Sequence, residues 1–258
     1  MNAPVWLLLR GLTRDQRHWG DVPERLARAL PPGAQVVCID LPGNGGLHHL
    51  RSAATVAGLV AQARAQVAEC GLAGRPVHLL AMSLGAMVAV AWAAAHPDEI
   101  AGAVLVNTSL RPFSPFWQRL RPRAWAPLLA CLWPGTSAER WERCILGLTS
   151  ARAVRRPEAP ALLRQWADWR RSHPVSRANA LRQLLAAATF RAPRRAPPVP
   201  LRLLNGAADG LVHPACSQAV ARAWNLPIAV HPDAGHDLPL DDPDWVVAQV
   251  VAWRAGVR

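Results

Sequence analysis

Within the apolar run VHLLAMSLGAMVAVAWAAAHPDEI, residues 77 to 100, one hydroxyl, Ser83, falls where a strand should give way to a helix. The pentapeptide AMSLG differs by one residue from the G-x-S-x-G turn that lifts a serine above the edge of a sheet. Small residues flank such a serine because the turn is tight and its helix packs closely on the strand. Ala81 replaces the first glycine and adds one methyl, which the turn should tolerate. A serine in a buried turn can also be mere filler. The reading of Ser83 as a nucleophile rests on context, an apolar strand before it and an alanine-rich helix after it.

A serine hydroxyl attacks carbon only when a histidine removes its proton and a carboxylate holds that histidine in one tautomer. The acid and the histidine should follow the serine in chain order. Asp209, in AADGLVHP after the run LRLLNG, and His236, in HPDAGHDLPL after PIAV, meet that order. Both sit where a strand ends, the edge at which ligands bind in open α/β folds. Asp40 in IDLPGNG precedes the serine and reads as a residue that ties down its own turn. The stretch after AVLV offers Asn107, Thr108 and Ser109 but no carboxylate. Among the histidines, His96 lies at a helix end, His78 inside a strand, and His213 too near the acid. His231 is the nearest rival, and Gly235 favours His236 by permitting a tight turn. Oxyanion donors are expected from the backbone N–H groups of Leu84 and of Leu12 in LLLRGLTRDQRHW, with Gly11 allowing close approach.

Around these residues the chain alternates between apolar β-type runs and helical segments, which predicts a doubly wound, mostly parallel α/β sheet. The expected strands are Val5 to Leu9, Gln35 to Ile39, Val77 to Ala81, Ala103 to Val106, Leu201 to Leu204 and Pro227 to Val230. Helical spacing marks VPERLARAL, TVAGLVAQARAQVAEC, Ala86 to Ala95 and DPDWVVAQVVAWR. Residues 111–195 break the alternation with SAERWERCILGL, APALLRQWADWRR and SRANALRQLLAAATF, and return through RAPRRAPPVP. They read as a helical cap inserted into a core of residues 1–110 and 196–258. Six of the 12 tryptophans and all three phenylalanines fall inside the insertion. Most should form its own small core and some should roof a pocket. Candidate substrate-binding residues are Arg10, Gly11 and Trp19 near the first loop, with Phe113, Phe116 and Trp117 at the start of the insertion.

Composition narrows the classes. A chain of 258 residues with 51% hydrophobic and 18% charged residues is globular, not disordered. VWLLL is too short for a secretory signal, so the expected address is cytoplasmic. The uncharged run from Leu79 to Ala95 reads as a buried strand and helix instead of a membrane span. Five scattered cysteines lack metal-ligand spacing and are read as reduced core thiols, with no metal or cofactor implied. The formal charge is +12 and all of its cations are arginines. Residues 111–195 hold 17 arginines against four acids, while the remainder nearly balances. That basic segment suggests an acidic carrier protein or an anionic lipid surface as partner, against the plainer reading of a solvated arginine-rich face. No nucleic-acid recognition motif accompanies the charge.

Together, DLPGNG, AMSLG, DGLVHP and AGHDLPL resemble the signature turns of the α/β-hydrolase superfamily over essentially the whole chain. The insertion is similar to the superfamily's lid. DGLV and the helical cap further resemble the pimeloyl-carrier-protein methyl ester esterases and related small carboxylesterases. Most of these carry His-Gly where this chain has Arg10-Gly11, and many open with a hairpin where this chain opens on its first strand. The exchange at residue 10 is read as neutral, since the backbone acts there; its alternative is a guanidinium facing an anionic substrate group. The resemblance implies a serine hydrolase acting on a small-molecule carboxylic ester through an acyl-enzyme. Thioester cleavage, carbon–carbon bond hydrolysis, acyl transfer and a non-catalytic binding module on the same fold stay open.

Overall fold

Each of the six apolar runs forms a strand in the computed structural model, which describes residues 3–256. Met1 and Asn2, which open the segment before VWLLL, and residues 257 and 258 lie outside the described residues. The strands are β1 (Val5–Leu9), β2 (Gln35–Ile39), β3 (Val77–Met82), β4 (Ile100–Val106), β5 (Leu201–Gly206) and β6 (Ile228–His231). They pair in parallel in the order β2-β1-β3-β4-β5-β6. Parallel strands covered on both faces need apolar residues at successive positions, which is why these runs barely alternate with polar ones.

Alternate residues nevertheless divide between two cores, because successive side chains point to opposite faces. Leu7, Leu9, Leu79, Ala81, Leu105 and Leu203 face the helices α2 (Val56–Glu69), α3 (Leu84–Ala95) and α9 (Ala215–Trp224). Trp6, Leu8, Leu80, Val104 and Leu204 face α1 (Val22–Ala29) and the closing helix α11 (Pro243–Gly256). Caps fix several helix starts. Thr55 accepts from the N–H of Gly58 (3.1 Å), and Asp242 accepts from the N–H of Trp245 (3.0 Å). Helix α9 (ACSQAVARAW) is not among the segments expected to be helical, and it stops at Asn225, in the left-handed region with φ 51°.

Between β4 and β5 lie five helices: α4 (Phe116–Arg119), α5 (Pro122–Cys131), α6 (Ala138–Thr149), α7 (Ala159–Ser172) and α8 (Arg177–Thr189). Pro127 inside α5 hides that helix from pattern reading. Of the thiols, Cys131 and Cys216 are buried, but Cys70, at the carboxyl end of α2, is exposed, which corrects the reading of all five as core residues.

Buried polar side chains seat these helices on the sheet. Gln183 of α8 accepts from the N–H of Thr13 (2.9 Å) and donates to Asn44 Oδ1 (2.9 Å); Asn179 accepts from the N–H of Ser52 (3.1 Å) and donates to the Leu50 carbonyl (2.9 Å). Asp241, in the short helix α10 (Leu238–Asp241), is fully buried and accepts five bonds: from Ser150 Oγ and from the N–H groups of Ala151, Arg152, Ala153 and Gly235, at 2.5–3.1 Å. One carboxylate therefore joins the residues after α6 to the loop that carries His236. Asp241→Ala strands four backbone donors in a dry site and should cost about 3–5 kcal/mol of folding stability, measured as a shift in the urea midpoint.

Candidate active site

Ser83, Asp209 and His236 follow the carboxyl ends of β3, β5 and β6, and local geometry explains how each is presented. Ser83 has φ 54°, a conformation that strains any side chain, and its N–H donates to the Val106 carbonyl (2.9 Å). The helix that follows rests on β1: a Cβ on Gly85 would lie 2.5 Å from the Leu9 carbonyl oxygen and 2.6 Å from that of Arg10. Ala81 precedes this contact and buries its methyl in the core. Gly11 faces the serine, since a Cβ there would come 3.0 Å from Ser83 Cβ and 3.5 Å from its Oγ.

Asp209 and His236 meet across 27 residues of sequence. Nδ1 of His236 donates to Asp209 Oδ2 (2.7 Å), and Oδ1 of the same carboxylate accepts from the N–H groups of Leu211 (2.8 Å) and Val212 (2.9 Å). With both oxygens committed, the carboxylate cannot turn, the proton stays on Nδ1, and Nε2 is left with a free lone pair. Both residues are buried. Ser83 and His236 line one cavity of about 500 Å³, together with Gly11, Leu12 and Leu84. Leu84 is the first residue of α3, so its N–H has no acceptor within the helix.

Asn107 also matters here, although at the level of sequence it offered only the lack of a carboxylate. Held at φ 47°, it donates through Nδ2 to the carbonyls of Gly235 (3.0 Å) and His236 (2.7 Å) and accepts at Oδ1 from the N–H of Gly206 (2.8 Å). It fastens the histidine loop to the ends of β4 and β5. Gly235 has no positive φ, so the tight-turn rationale fails. A glycine is needed because a Cβ would sit 2.7 Å from the Thr149 carbonyl oxygen and 2.8 Å from the Ala151 nitrogen, where the backbone after α6 crosses the loop.

The candidate substrate contacts divide. Gly11 and Phe116 line the cavity, but Trp19 is buried in the core against α1 and α11, Phe113 packs edge-on against Trp224 (5.4 Å) in the opposite core, and Trp117 points to solvent. The first two are apolar enough to be claimed by the sheet's own packing. Arg10 lines the cavity, yet its guanidinium forms a buried two-point bond with Asp237 (3.1 and 2.7 Å) and lies over the Trp19 ring at 5.0 Å. Burial opposes ionisation of Asp237, but Arg10 overrides it and holds the carboxyl below its ordinary range. The cation is thus spent on joining the first loop to the histidine loop. No local signal could reveal a pair separated by 227 positions.

Next to it, Arg14 binds Glu142 of α6 (2.5 Å), which also binds Arg170 of α7 (2.6 Å). Nη1 of Arg14 donates to Nε2 of His18 (2.9 Å) as well. Burial first, and then the Arg14 charge, push His18 from 6.5 down to about 4. Asp40 accepts from the N–H groups of Gln16 (2.7 Å) and Gly46 (3.3 Å), fixing the turn it belongs to and the loop beside it; burial raises its pKa to about 6. Among the described residues no cluster of three or more His, Cys, Asp or Glu is arranged to hold a metal ion.

A parallel sheet crossed by helices on both faces, with a serine at a strained turn and an aspartate–histidine pair at the same edge, defines an α/β hydrolase. The chain belongs to the alpha/beta hydrolase family, whose model matches residues 6–249. It is 32% identical over 126 residues to monoacylglycerol lipase ABHD6 of Mus musculus (46% of this chain, 36% of that protein), and 32% identical over 108 residues to monoacylglycerol lipase abhd6-B of Xenopus laevis (41% and 30%). The matches thus span about a third of the length of these curated relatives. Among solved structures, a thermophilic esterase from Thermogutta terrifontis superimposes with a TM-score of 0.77 at 23% identity, covering 99% of this chain and 91% of that one. The enol-lactonase from Burkholderia xenovorans LB400 gives 0.77 at 19%, covering 99% and 92%. These two likenesses show the fold.

Two consequences can be measured. Arg10→Met leaves Asp237 charged and unpaired in a dry site and should cost about 3–5 kcal/mol in chemical denaturation, most of it recovered in the double variant with Asp237→Leu. The unfolded chain protonates His18 near 6.5 and the folded protein only near 4, so stability falls as pH drops from about 6.5 to about 4 and levels off below. The difference in melting temperature between His18→Gln and the parent should change in the variant's favour across that window and be constant above it.

Proposed function

We propose that this protein is a serine hydrolase that cleaves carboxylic esters through an acyl-enzyme. The observation that carries the reading is the 2.7 Å bond from His236 to an immobilised Asp209, in the cavity that also holds Ser83 at its strained turn. Ser83 Oγ attacks the ester carbonyl while His236 Nε2 takes its proton, and Asp209 stabilises the imidazolium that results. The N–H groups of Leu12 and Leu84 receive the oxyanion. The tetrahedral intermediate collapses as His236 returns the proton to the departing alcohol. Water, deprotonated by the same imidazole, then attacks the acyl-enzyme and releases the acid.

Leucines dominate the cavity wall, among them Leu120, Leu128, Leu132 and Leu148, with Ile145 beside them. A volume of about 500 Å³ suits a lipid-sized monoester. The names of the curated relatives agree with an acylglycerol substrate, although the match covers only part of each. The pimeloyl-carrier-protein type is the alternative at the level of substrate; it requires an acidic carrier at the basic insertion. Among the described residues no helix is long and apolar enough to cross a membrane.

Ser83→Ala should abolish labelling by a fluorophosphonate probe and lower kcat/KM by about 10⁴-fold or more, with Asp209→Asn costing about 10⁴-fold through the wrong imidazole tautomer. Over a series of p-nitrophenyl esters, kcat/KM should rise about fourfold per added methylene, from about 0.8 kcal/mol of burial each, until the cavity is full. Full labelling and turnover in Ser83→Ala would end the mechanism. An intact protein that never labels would instead be a binding module, and preference for matched thioesters would make it a thioesterase.

A further inference from the structure

The mouth of the cavity opens between α4–α5 on one side and α8 on the other. Phe116, Trp125, Leu129 and Leu184 line the cavity and also lie on the outer surface, Phe116 with 65% and Leu129 with 67% of its area exposed. Beside them Trp117, Trp133 (73% exposed), Leu181 and Leu185 face solvent without lining the cavity. Eight of the eleven large apolar side chains that the described residues leave exposed are therefore gathered at one rim. They form two stripes. Trp125, Leu129 and Trp133 follow one another at four-residue spacing along α5 and just past it, with Phe116 stacked on Trp125 (6.1 Å) and edge-on to Trp117 (5.1 Å). Leu181, Leu184 and Leu185 share one face of α8. Arg177 donates to the Trp133 carbonyl (3.4 Å) and Arg119 to that of Ala187 (2.5 Å), which ties the two stripes together at both ends. A contiguous apolar patch of this kind on a soluble surface marks a site of contact.

Its charge is one-sided. Arg119, Arg121, Arg123, Arg177 and Arg182 flank these residues, and none pairs with a carboxylate among the described residues; beyond the two bonds just named, Arg121 and Arg123 donate to the carbonyls of Asp209 (2.8 Å) and Gly210 (2.9 Å) and Arg182 to Asn179 Oδ1 (3.2 Å), so their charge meets only neutral acceptors. Residues 110–138 and 174–199 contain no Asp or Glu at all. Glu139 and Glu142 of α6 and Asp168 of α7, by contrast, are paired, Glu139 and Asp168 with Arg171 and Glu142 with Arg14 and Arg170. The arginines are spread over the whole insertion; the acids are confined to residues 139–168, which leaves the rim without a countercharge.

We propose that this rim docks on a bilayer carrying acidic phospholipids, with the tryptophan and leucine stripes entering the headgroup–acyl boundary and the arginines facing lipid phosphates. An acidic protein would satisfy the arginines equally well. The bilayer is favoured because four of the exposed apolar residues are at once surface and cavity wall, so a single apolar path runs from the patch to the floor of the site. An acyl chain can follow that path without crossing water. This delivery role rests on the ester-hydrolase reading; the docking does not.

The test uses Ser83→Ala protein, so that no turnover intervenes, in cosedimentation with vesicles of phosphatidylcholine alone or mixed with phosphatidylglycerol. Partition should be at least about tenfold stronger on the mixed vesicles and should weaken at high salt. Adding Trp133→Ser, Leu181→Ser and Leu185→Ser, none of which lines the cavity, should weaken it at least about tenfold. In the Ser83 background the same triple variant should keep the unfolding midpoint and the rate on a water-soluble short ester. No partition, equal partition into both vesicles, or partition untouched by the triple variant overturns the proposal, as does capture of an acidic acyl carrier protein by a protein that ignores vesicles. Vesicle binding by a protein that hydrolyses no ester would overturn the proposed chemistry and leave the docking surface standing.

Discussion

The hydrogen bond between Asp209 and His236 is the contact on which the rest of the site depends. A buried carboxylate is costly unless each lone pair it turns inward meets a donor. Here the turn after β5 supplies two backbone donors to one oxygen and leaves the other to the imidazole alone. That arrangement selects the tautomer whose Nε2 is bare, the only form able to take a proton from a hydroxyl. The strained turn at Ser83 brings that residue to the same cavity that the imidazole lines.

Holding the histidine loop in place takes more residues than the proposed reaction does. Asn107 secures it to β4 and β5, Arg10 clamps Asp237 beside it, and Asp241 ties it to the residues after α6. The amide of Asp237 itself donates to the Thr149 carbonyl (2.6 Å). Since Gln183 and Glu142 grip the first loop in turn, the inserted helices act as a brace for both halves of the site as well as its cover. Apolar packing alone would let such helices slide. Buried hydrogen bonds with defined partners fix their register, and the lost solvation of each group makes any shifted arrangement expensive.

The fold of the core and the candidate serine, aspartate and histidine were legible in the sequence for a common reason: both are written in short segments. A buried parallel strand is a run of apolar residues, a serine elbow is five residues with a glycine two positions beyond the serine, and acid and histidine follow strands in a fixed order. Residues whose role is to hold were not legible. Asn107 looked like the lack of a carboxylate, Arg10 like a neutral exchange or a substrate contact, and Gly235 like a turn residue, because each has partners many positions away. Trp19 and Phe113 were assigned to the site for being aromatic and near it in sequence, yet the core had first claim on them.

By itself, then, the amino-acid sequence determined the six strands in chain order, the candidacy of the serine, the aspartate and the histidine, and the excess of positive charge between residues 111 and 195, since each follows from local pattern or from counting. Only the tertiary structure decided which charges cancel and which stand free, which aromatic residues are packed and which meet solvent, and where the cavity opens. Those outcomes depend on what the remaining chain brings within a few ångströms of each side chain, and burial there sets whether a guanidinium is a strut or a free cation.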